Sequence, residues 1–388
     1  MTALDSALTI ADLKARARRR VPRMFFDYSE SGSWTEQTFR ANESDFSDIL
    51  FRQRVAVDIA SRSLKSTMLG RKVAMPLAVA PAAICGLQTA NGEVHAARAA
   101  EKFGIPFTLS TMSILSIEDV AEAVATPFWF QLYMMRDKRF MERLIDRAKA
   151  AKCSALVLTM DLQILGQRHA DIRNGMSAPP KLNASSLWQI ATRPAWAFGM
   201  LGAKRRTFSN VVGQAEDVDD LSSLSSWIAG QFDPRLSWKE VGWVKDRFGG
   251  PVIVKGVLDP EEARAAVNAG ADAIVVSNHG GRQLDGAPSS IRVLPEMVEA
   301  VGDKVEVFMD GGIRSGQDLL KALALGAKGV FIGRPILYGL GAGGEAGVTK
   351  ALRIIEKEAD ITMALLGERD VRTVGTHNIY RNGLERRH

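Results

Sequence analysis

Cysteine is nearly absent: the 388 residues hold two, Cys85 and Cys153, and neither sits in a C-x-x-C pair or a Cys/His cluster. Neither a disulfide framework nor a structural zinc site is indicated, no metal is expected, and a reducing cytoplasm is the expected setting. Long apolar runs are missing too. No segment reaches the roughly 18 apolar residues that span a bilayer, and the N-terminus has no continuous apolar core of a cleaved signal. There is no Walker sequence. Gly339-Leu340-Gly341-Ala342-Gly343-Gly344 matches G-x-G-x-x-G, but a dinucleotide fingerprint needs a strand immediately before it. Here Pro335 to Tyr338 intervene, so the run reads as a flexible helix start.

What is present is an ordinary enzyme composition, with 46% hydrophobic residues and a net charge of +6. Such charge is compatible with nucleic acid, anionic lipid or acidic small molecules and selects none of them. The organisation lies in the alternation of short apolar runs with amphipathic stretches. Strands are predicted at Leu77 to Ala80, Phe107 to Ser110, Trp129 to Tyr133, Ala155 to Thr159, Val252 to Lys255, Ala273 to Ser277, Val305 to Asp310 and Val330 to Gly333. Helical patterns between them include Glu93 to Phe103, Arg139 to Ala151, Glu261 to Ala269 and Gln317 to Leu325.

Eight such units in a row predict a (β/α)8 TIM barrel over about 76–358, within a single domain spanning 1–388. A doubly wound sheet stays open on pattern alone. Polar or glycine residues nonetheless close nearly every strand at its C-terminal end, and in a barrel these converge on one mouth. Outside the units lie a helix through Leu8 to Arg20, stopped at Pro22, and an insertion of about 162–237 after the fourth strand. A connection that long is usually functional or mobile.

The chemistry concentrates at Ser277-Asn278-His279-Gly280-Gly281-Arg282-Gln283, where a buried strand ends in a histidine and an arginine flanked by glycines. Imidazole can take a proton near neutral pH, and a guanidinium fixes an anion, so the segment reads as a base beside a carboxylate or phosphate clamp. After the seventh and eighth strands, Asp310-Gly311-Gly312-Ile313-Arg314 and Ile332-Gly333-Arg334-Pro335 supply backbone N–H groups and guanidinium groups where barrels hold phosphate.

Together these residues resemble the FMN-dependent α-hydroxy acid dehydrogenase and oxidase family, over Pro22 to about Gly347. The most specific part is Ser277 through Asp285. Gly104 to Thr111, Trp129 to Tyr133 and Phe232-Asp233-Pro234 look most similar to the bacterial respiratory L-lactate dehydrogenases. The resemblance implies His279 as the active-site base, oriented by Asp161. It implies Arg282 and Arg168 on the substrate carboxylate, with Tyr28 and Tyr133 bonding the carboxylate or the 2-hydroxyl. FMN would be held by Pro81, Ala82, Ala83, Ser110, Gln131, Thr159, Lys255 and Ser277, its ribityl chain by Asp310, and its phosphate by Gly311, Gly312, Arg314, Gly333 and Arg334. Tyr28 would have to fold back over the barrel mouth. Many family members have Pro-Thr-Ala where this chain has Pro81-Ala82-Ala83, which leaves oxidase against dehydrogenase behaviour open.

The implied reaction oxidises an L-2-hydroxy acid, L-lactate first, to the 2-oxo acid, with electrons passed to quinone or cytochrome. The insertion carries Trp188, Trp196, Phe198, Met200 and Leu201 before Lys204, Arg205 and Arg206, a composition suited to a membrane interface. Peripheral contact of the 181–210 region with the inner face of the cell membrane is expected, along with a homotetramer and no nucleic-acid partner. Competing readings are an oxidase using O2, a Schiff-base aldolase on Lys255, and a flavoprotein that binds without turnover.

Overall fold

The computed structural model describes residues 4–174, 184–214, 230–231 and 233–380. Residues 181–183 of the expected membrane segment, and Phe232, lie outside the described residues. A hairpin unmarked by the sequence pattern comes first: β1 (Ser66–Met68) and β2 (Arg71–Val73) pair antiparallel. They meet through Leu69 and Gly70, both at positive φ, the backbone that a two-residue hairpin turn needs. Then come β3 (Leu77–Val79), β4 (Thr108–Ser110), β5 (Trp129–Tyr133), β6 (Ala155–Thr159), β7 (Val252–Val257), β8 (Ala273–Val276), β9 (Glu306–Met309) and β10 (Gly329–Ile332).

These eight strands are parallel in the order β3-β10-β9-β8-β7-β6-β5-β4. Val79 bridges Phe107 in parallel and brings β3 against the start of β4, so the sheet is the (β/α)8 barrel and the doubly wound alternative falls.

The two-residue period of each strand explains both cores. Leu77, Val79, Phe130, Leu156, Leu158, Val254, Ile274 and Ile332 face the surrounding helices in one cluster. Ala78, Trp129, Ala155, Val157, Ile253, Ala273, Val275, Phe308 and Phe331 fill the barrel in another. Small and large alternate there: alanines on three strands leave room for Trp129, Phe331 and Phe308, whose rings sit 5.6 and 5.8 Å apart in sequence. All are nearly inaccessible, and at about 1.5–3 kcal/mol per large buried side chain this layer is a major anchor. Ala155→Leu would overpack it.

The helices begin with α1 (Ile10–Arg20), α2 (Arg23–Glu30), α3 (Gln37–Ser44), α4 (Cys85–Gln88), α5 (Gly92–Phe103), α6 (Ile117–Ala121) and α7 (Lys138–Ala150). Within the long insertion lie α8 (His169–Arg173), α9 (Ala184–Ala191) and α10 (Pro194–Leu201). The barrel resumes with α11 (Lys239–Phe248), α12 (Pro260–Asn268), α13 (Ser290–Val301), α14 (Gly316–Ala324) and α15 (Arg334–Leu366).

Starts follow local chemistry: Thr9 closes a capping box with Asp12 on α1, and Asp259 accepts from the Glu261 and Glu262 amides beside Pro260 on α12. The glycine run is not a flexible helix start. It lies inside α15, which bends at Gly343 and Gly344, and a Cβ at Gly341 would press on Ala17 of α1. The small residues serve close helix packing.

Candidate active site

At the C-terminal ends of the strands the inward positions turn polar. Ser110 Oγ donates to Gln131 Oε1 (3.0 Å), and Gln131 Nε2 donates to Thr159 Oγ1 (3.0 Å). Lys255 Nζ donates to Ser277 Oγ (2.8 Å) and pairs with Asp310 Oδ2 (3.1 Å). The other Asp310 oxygen, Oδ1, is buried with no partner among the described residues. A buried acceptor left bare costs free energy unless something arrives to donate to it.

These groups floor a cavity of about 560 Å³. Of the residues expected at the site, all but Asp161, Ser110, Gln131 and Ser277 line it. Asp161, Gln131 and Ser277 are hydrogen-bonded to the lining side chains of His279, Thr159 and Lys255, and Ser110 is bonded to Gln131 behind them. Tyr28 does fold over the mouth, with the Arg282 guanidinium stacked 4.4 Å above its ring.

His279 sits at φ +58°, followed by Gly280 and Gly281 at +67° and +74°. A left-handed non-glycine backbone costs on the order of 1–3 kcal/mol and is tolerated where it aims a side chain. His279 Nδ1 lies 2.9 Å from Asp161 Oδ1, which leaves Nε2 as the ring nitrogen without a hydrogen bond among the described residues. Tyr133 stacks alongside at 6.5 Å. Burial lowers the His279 pKa despite the Asp161 charge, so the ring is neutral at neutral pH. Burial would raise Asp161, but the His279 interactions and Lys255 outweigh it and hold the carboxyl below its usual value. Burial raises the Tyr133 phenol and keeps it a donor.

The two arginines differ. Arg282 is anchored: Nη1 donates to the Tyr28 and Ser31 carbonyls and to Ser31 Oγ, and Nη2 pairs with Asp171 Oδ2 at 3.1 Å. Arg168 spends only Nε, on the Arg282 carbonyl at 3.2 Å, and forms no salt bridge among the described residues. Burial and the neighbouring Arg282 charge both lower its pKa. With Asp171 acting on it only at a distance and no ion-pair partner within 4 Å among the described residues, the Arg168 guanidinium leaves the mouth suited to a small anion.

The same holds beside Gly311 and Gly312. Arg334 is half-buried, donates among the described residues only to the carbonyls of Ser29, Gly280 and Ser31, and is pushed down to about 10 by desolvation and Arg314. Arg314 pairs with Glu43 at 2.8 Å.

A profile described as FMN-dependent dehydrogenase matches residues 17–381. The chain belongs to this family. It is therefore an FMN-dependent oxidoreductase acting on a CH–OH donor. The L-lactate dehydrogenase of Caulobacter vibrioides is 47% identical over 365 residues, 94% of this chain and 95% of the relative. A solved (S)-mandelate dehydrogenase, a monotopic membrane protein, superposes with TM-score 0.92 at 33% identity over 97% of this chain and all of that one. A mandelate oxidase gives 0.82 at 36% identity over 97% and 98%.

The residues present fit the family's cofactor. The cavity falls within the roughly 300–1,000 Å³ of small-molecule and cofactor sites, and the bare Asp310 oxygen suits a sugar-like hydroxyl. Gly312, at φ +84°, has no room for a side chain, since a Cβ would overlap the Asn42 carbonyl. The unpaired Arg334 charge suits a phosphate.

Several supporting residues escaped the sequence pattern. Asp171 bonds both Ser31 and Arg282, and its signal was its place one helical turn after Arg168. Asn42 exchanges hydrogen bonds with Asn278 at 2.9 and 2.8 Å, and Gln283 Nε2 donates to the Asp161 carbonyl at 2.6 Å. Gln283 lies in the Ser277–Asp285 segment without an assigned role, and nothing local marked Asn42.

Proposed function

We propose that this chain oxidises a small L-2-hydroxy acid, L-lactate first, to its 2-oxo acid, and passes the electrons to a quinone or cytochrome at a membrane surface. The observation that carries the reading is the uncompensated Arg168 guanidinium in one cavity with the His279–Asp161 pair. FMN, when bound, supplies the two-electron acceptor that side chains lack.

The protein does the rest. Arg168 and Arg282 hold the carboxylate, and Tyr133 donates to the carboxylate or the hydroxyl. His279 Nε2, neutral before turnover, takes a proton from the substrate. The imidazolium so formed faces the Asp161 carboxylate 2.9 Å from Nδ1, which stabilises the charge. FMN would be held by Pro81 to Ala83, Thr159, Lys255 and Asp310, with Ser110, Gln131 and Ser277 bracing those groups. Its phosphate would lie among Gly311, Gly312, Arg314, Gly333 and Arg334.

Membrane contact is supported by α9 and α10, where Leu187, Trp188, Phe198 and Leu201 are exposed, while no helix among the described residues is long and apolar enough to cross a bilayer. The basic cluster is partly engaged: Lys204 and Arg205 pair with Asp119. Attachment thus rests on the apolar face more than on charge. Assembly as a homotetramer belongs to the same reading and is checked by light scattering.

The deciding experiment mixes the flavin-loaded enzyme anaerobically with L-lactate and a panel of 2-hydroxy acids, then reoxidises it with O2 or quinone. Bleaching of the flavin by L-lactate is expected. Retained colour with every acid would refute the reading.

A further inference from the structure

A second cavity, of about 370 Å³, lies where α1, α4, α5, α10 and the bend of α15 meet. None of the groups assigned above lines it except Trp196, already noted as an interfacial candidate. Its partition from the first cavity is thin. Gln88 lines the second cavity and its Nε2 donates to Ser29 Oγ at 3.1 Å, while Ser29 lines the first. Along α15, Leu337 borders the first cavity and Leu340 the second.

The chemistry of the second cavity is specific. Arg20 is exposed and forms no salt bridge among the described residues. His95 Nδ1 is buried without a hydrogen-bond partner, and the nearest carboxylate oxygen, Glu345 Oε2, is 3.9 Å away. The Trp196 indole forms an aromatic wall, fixed by stacking on Phe25 at 5.3 Å and by its Nε1 bond to the Leu87 carbonyl at 3.0 Å. Gly199 leaves the space beside it open, since a Cβ there would meet nothing within 4 Å. The same helix α10 exposes Phe198 and Leu201 at 71% and 69%.

A ligand for this place needs a flat ring for the indole, neutral acceptor oxygens for His95 and Arg20, and an apolar tail to follow α10 outward. Glu345 is paired with Lys102 through Oε1, and its other oxygen, 3.9 Å from His95 Nδ1, still places an acceptor where a phosphate oxygen would sit, which disfavours a phosphate headgroup beside His95.

We infer that this cavity binds the ring of a lipid-soluble quinone and is where the enzyme hands over its electrons. The inference rests on the membrane-surface acceptor proposed above and names one of the two acceptor classes. The quinone takes two electrons from the reduced enzyme and two protons, so both ring C=O bonds become C–OH and the enzyme returns to its oxidised form. Both protons come from solvent at the cavity mouth, one of them relayed through His95, which takes up a proton on one ring nitrogen as it passes one on from the other. The proton lost by the reduced enzyme on oxidation leaves to solvent.

The test uses flavin-loaded enzyme reduced with dithionite, so that it stands even where L-lactate fails as reductant. The reduced enzyme is mixed anaerobically with a decyl-tailed ubiquinone analogue or with ferricyanide, for the wild type and for Gly199→Phe, His95→Leu and Arg20→Gln. At least a tenfold slower oxidation by the quinone is expected for each, with ferricyanide oxidation and reduction by the hydroxy acid unchanged. Binding is read separately: the oxidised quinone should quench tryptophan fluorescence in the wild type and lose that effect in Gly199→Phe.

Quinone rates within twofold of wild type in all three variants would overturn the inference. So would a wild type that neither reacts with the quinone nor shows quenching. Unchanged quinone rates with weakened binding to phosphatidylglycerol vesicles would assign the cavity to a lipid headgroup and overturn it equally.

Discussion

Glu93 offers a direct test of the electrostatics around the site. Its side chain is 1% exposed at the start of α5, and its Oε1 accepts from the Gly86 and Ile114 amides at 3.1 and 3.0 Å. It thereby ties α4, which directly follows the cavity-lining Pro81–Ile84 segment, to the loop after β4. The second oxygen, Oε2, has no partner among the described residues. Burial outweighs the amide bonds and raises the carboxyl from 4.5 to about 7.

Because the folded value exceeds the unfolded one, the folded protein keeps a proton that the unfolded chain has lost between those two values. Stability is therefore lost as pH rises through that window. At about 1.4 kcal/mol per pH unit the loss amounts to roughly 3 kcal/mol. Glu93→Gln keeps the acceptor for both amides and has no charge to bury. The variant should match the wild type near pH 5 and exceed it by roughly 3 kcal/mol at pH 8, several degrees in melting midpoint with excess FMN. Equal midpoints across that range would refute the account of this carboxyl.

The remaining predictions concern catalysis. Asp161→Asn removes a charge-assisted hydrogen bond worth about 1.5–3 kcal/mol, so flavin reduction by the hydroxy acid should slow roughly 10–150-fold in anaerobic stopped flow, and a loss under threefold would contradict the role. His279 must be neutral to act, and its pKa is lowered from 6.5, so activity should fall with acid only below pH 6.5 and, in Asp161→Asn, at lower pH still; a wild-type midpoint above 6.5 would contradict this. Arg168→Met should raise the KM for the acid at least about tenfold while flavin content stays full, as read from visible absorbance. Gly312→Ala meets both a φ of +84° and the Asn42 carbonyl, and should purify with little flavin.

The sequence by itself determined the eight strand–helix units and the polar composition of their strand ends, while closure into a barrel rather than a doubly wound sheet was decided by the strand order and the Val79–Phe107 bridge. Short continuous apolar runs closed by polar or glycine residues are the mark of parallel strands, because a parallel strand must bury both faces and shed its polar groups at an end. The predicted strands agree with the structure to within one or two residues at most ends. The His279 segment was legible because its glycines and charged groups interrupt an apolar run.

Only the tertiary structure decided which charges are spent. Among the described residues, Arg282 is held by Ser31 and Asp171 whereas Arg168 has no ion-pair partner, and Asp310 gives one oxygen to Lys255 and keeps the other bare. Arg20, His95, Trp196 and Glu345 likewise share a cavity although they lie on four separate helices. A pattern of residue types carries periodicity and local turn chemistry. Pairing between side chains hundreds of positions apart, and hence the charge a ligand must supply, is fixed only when the chain closes on itself.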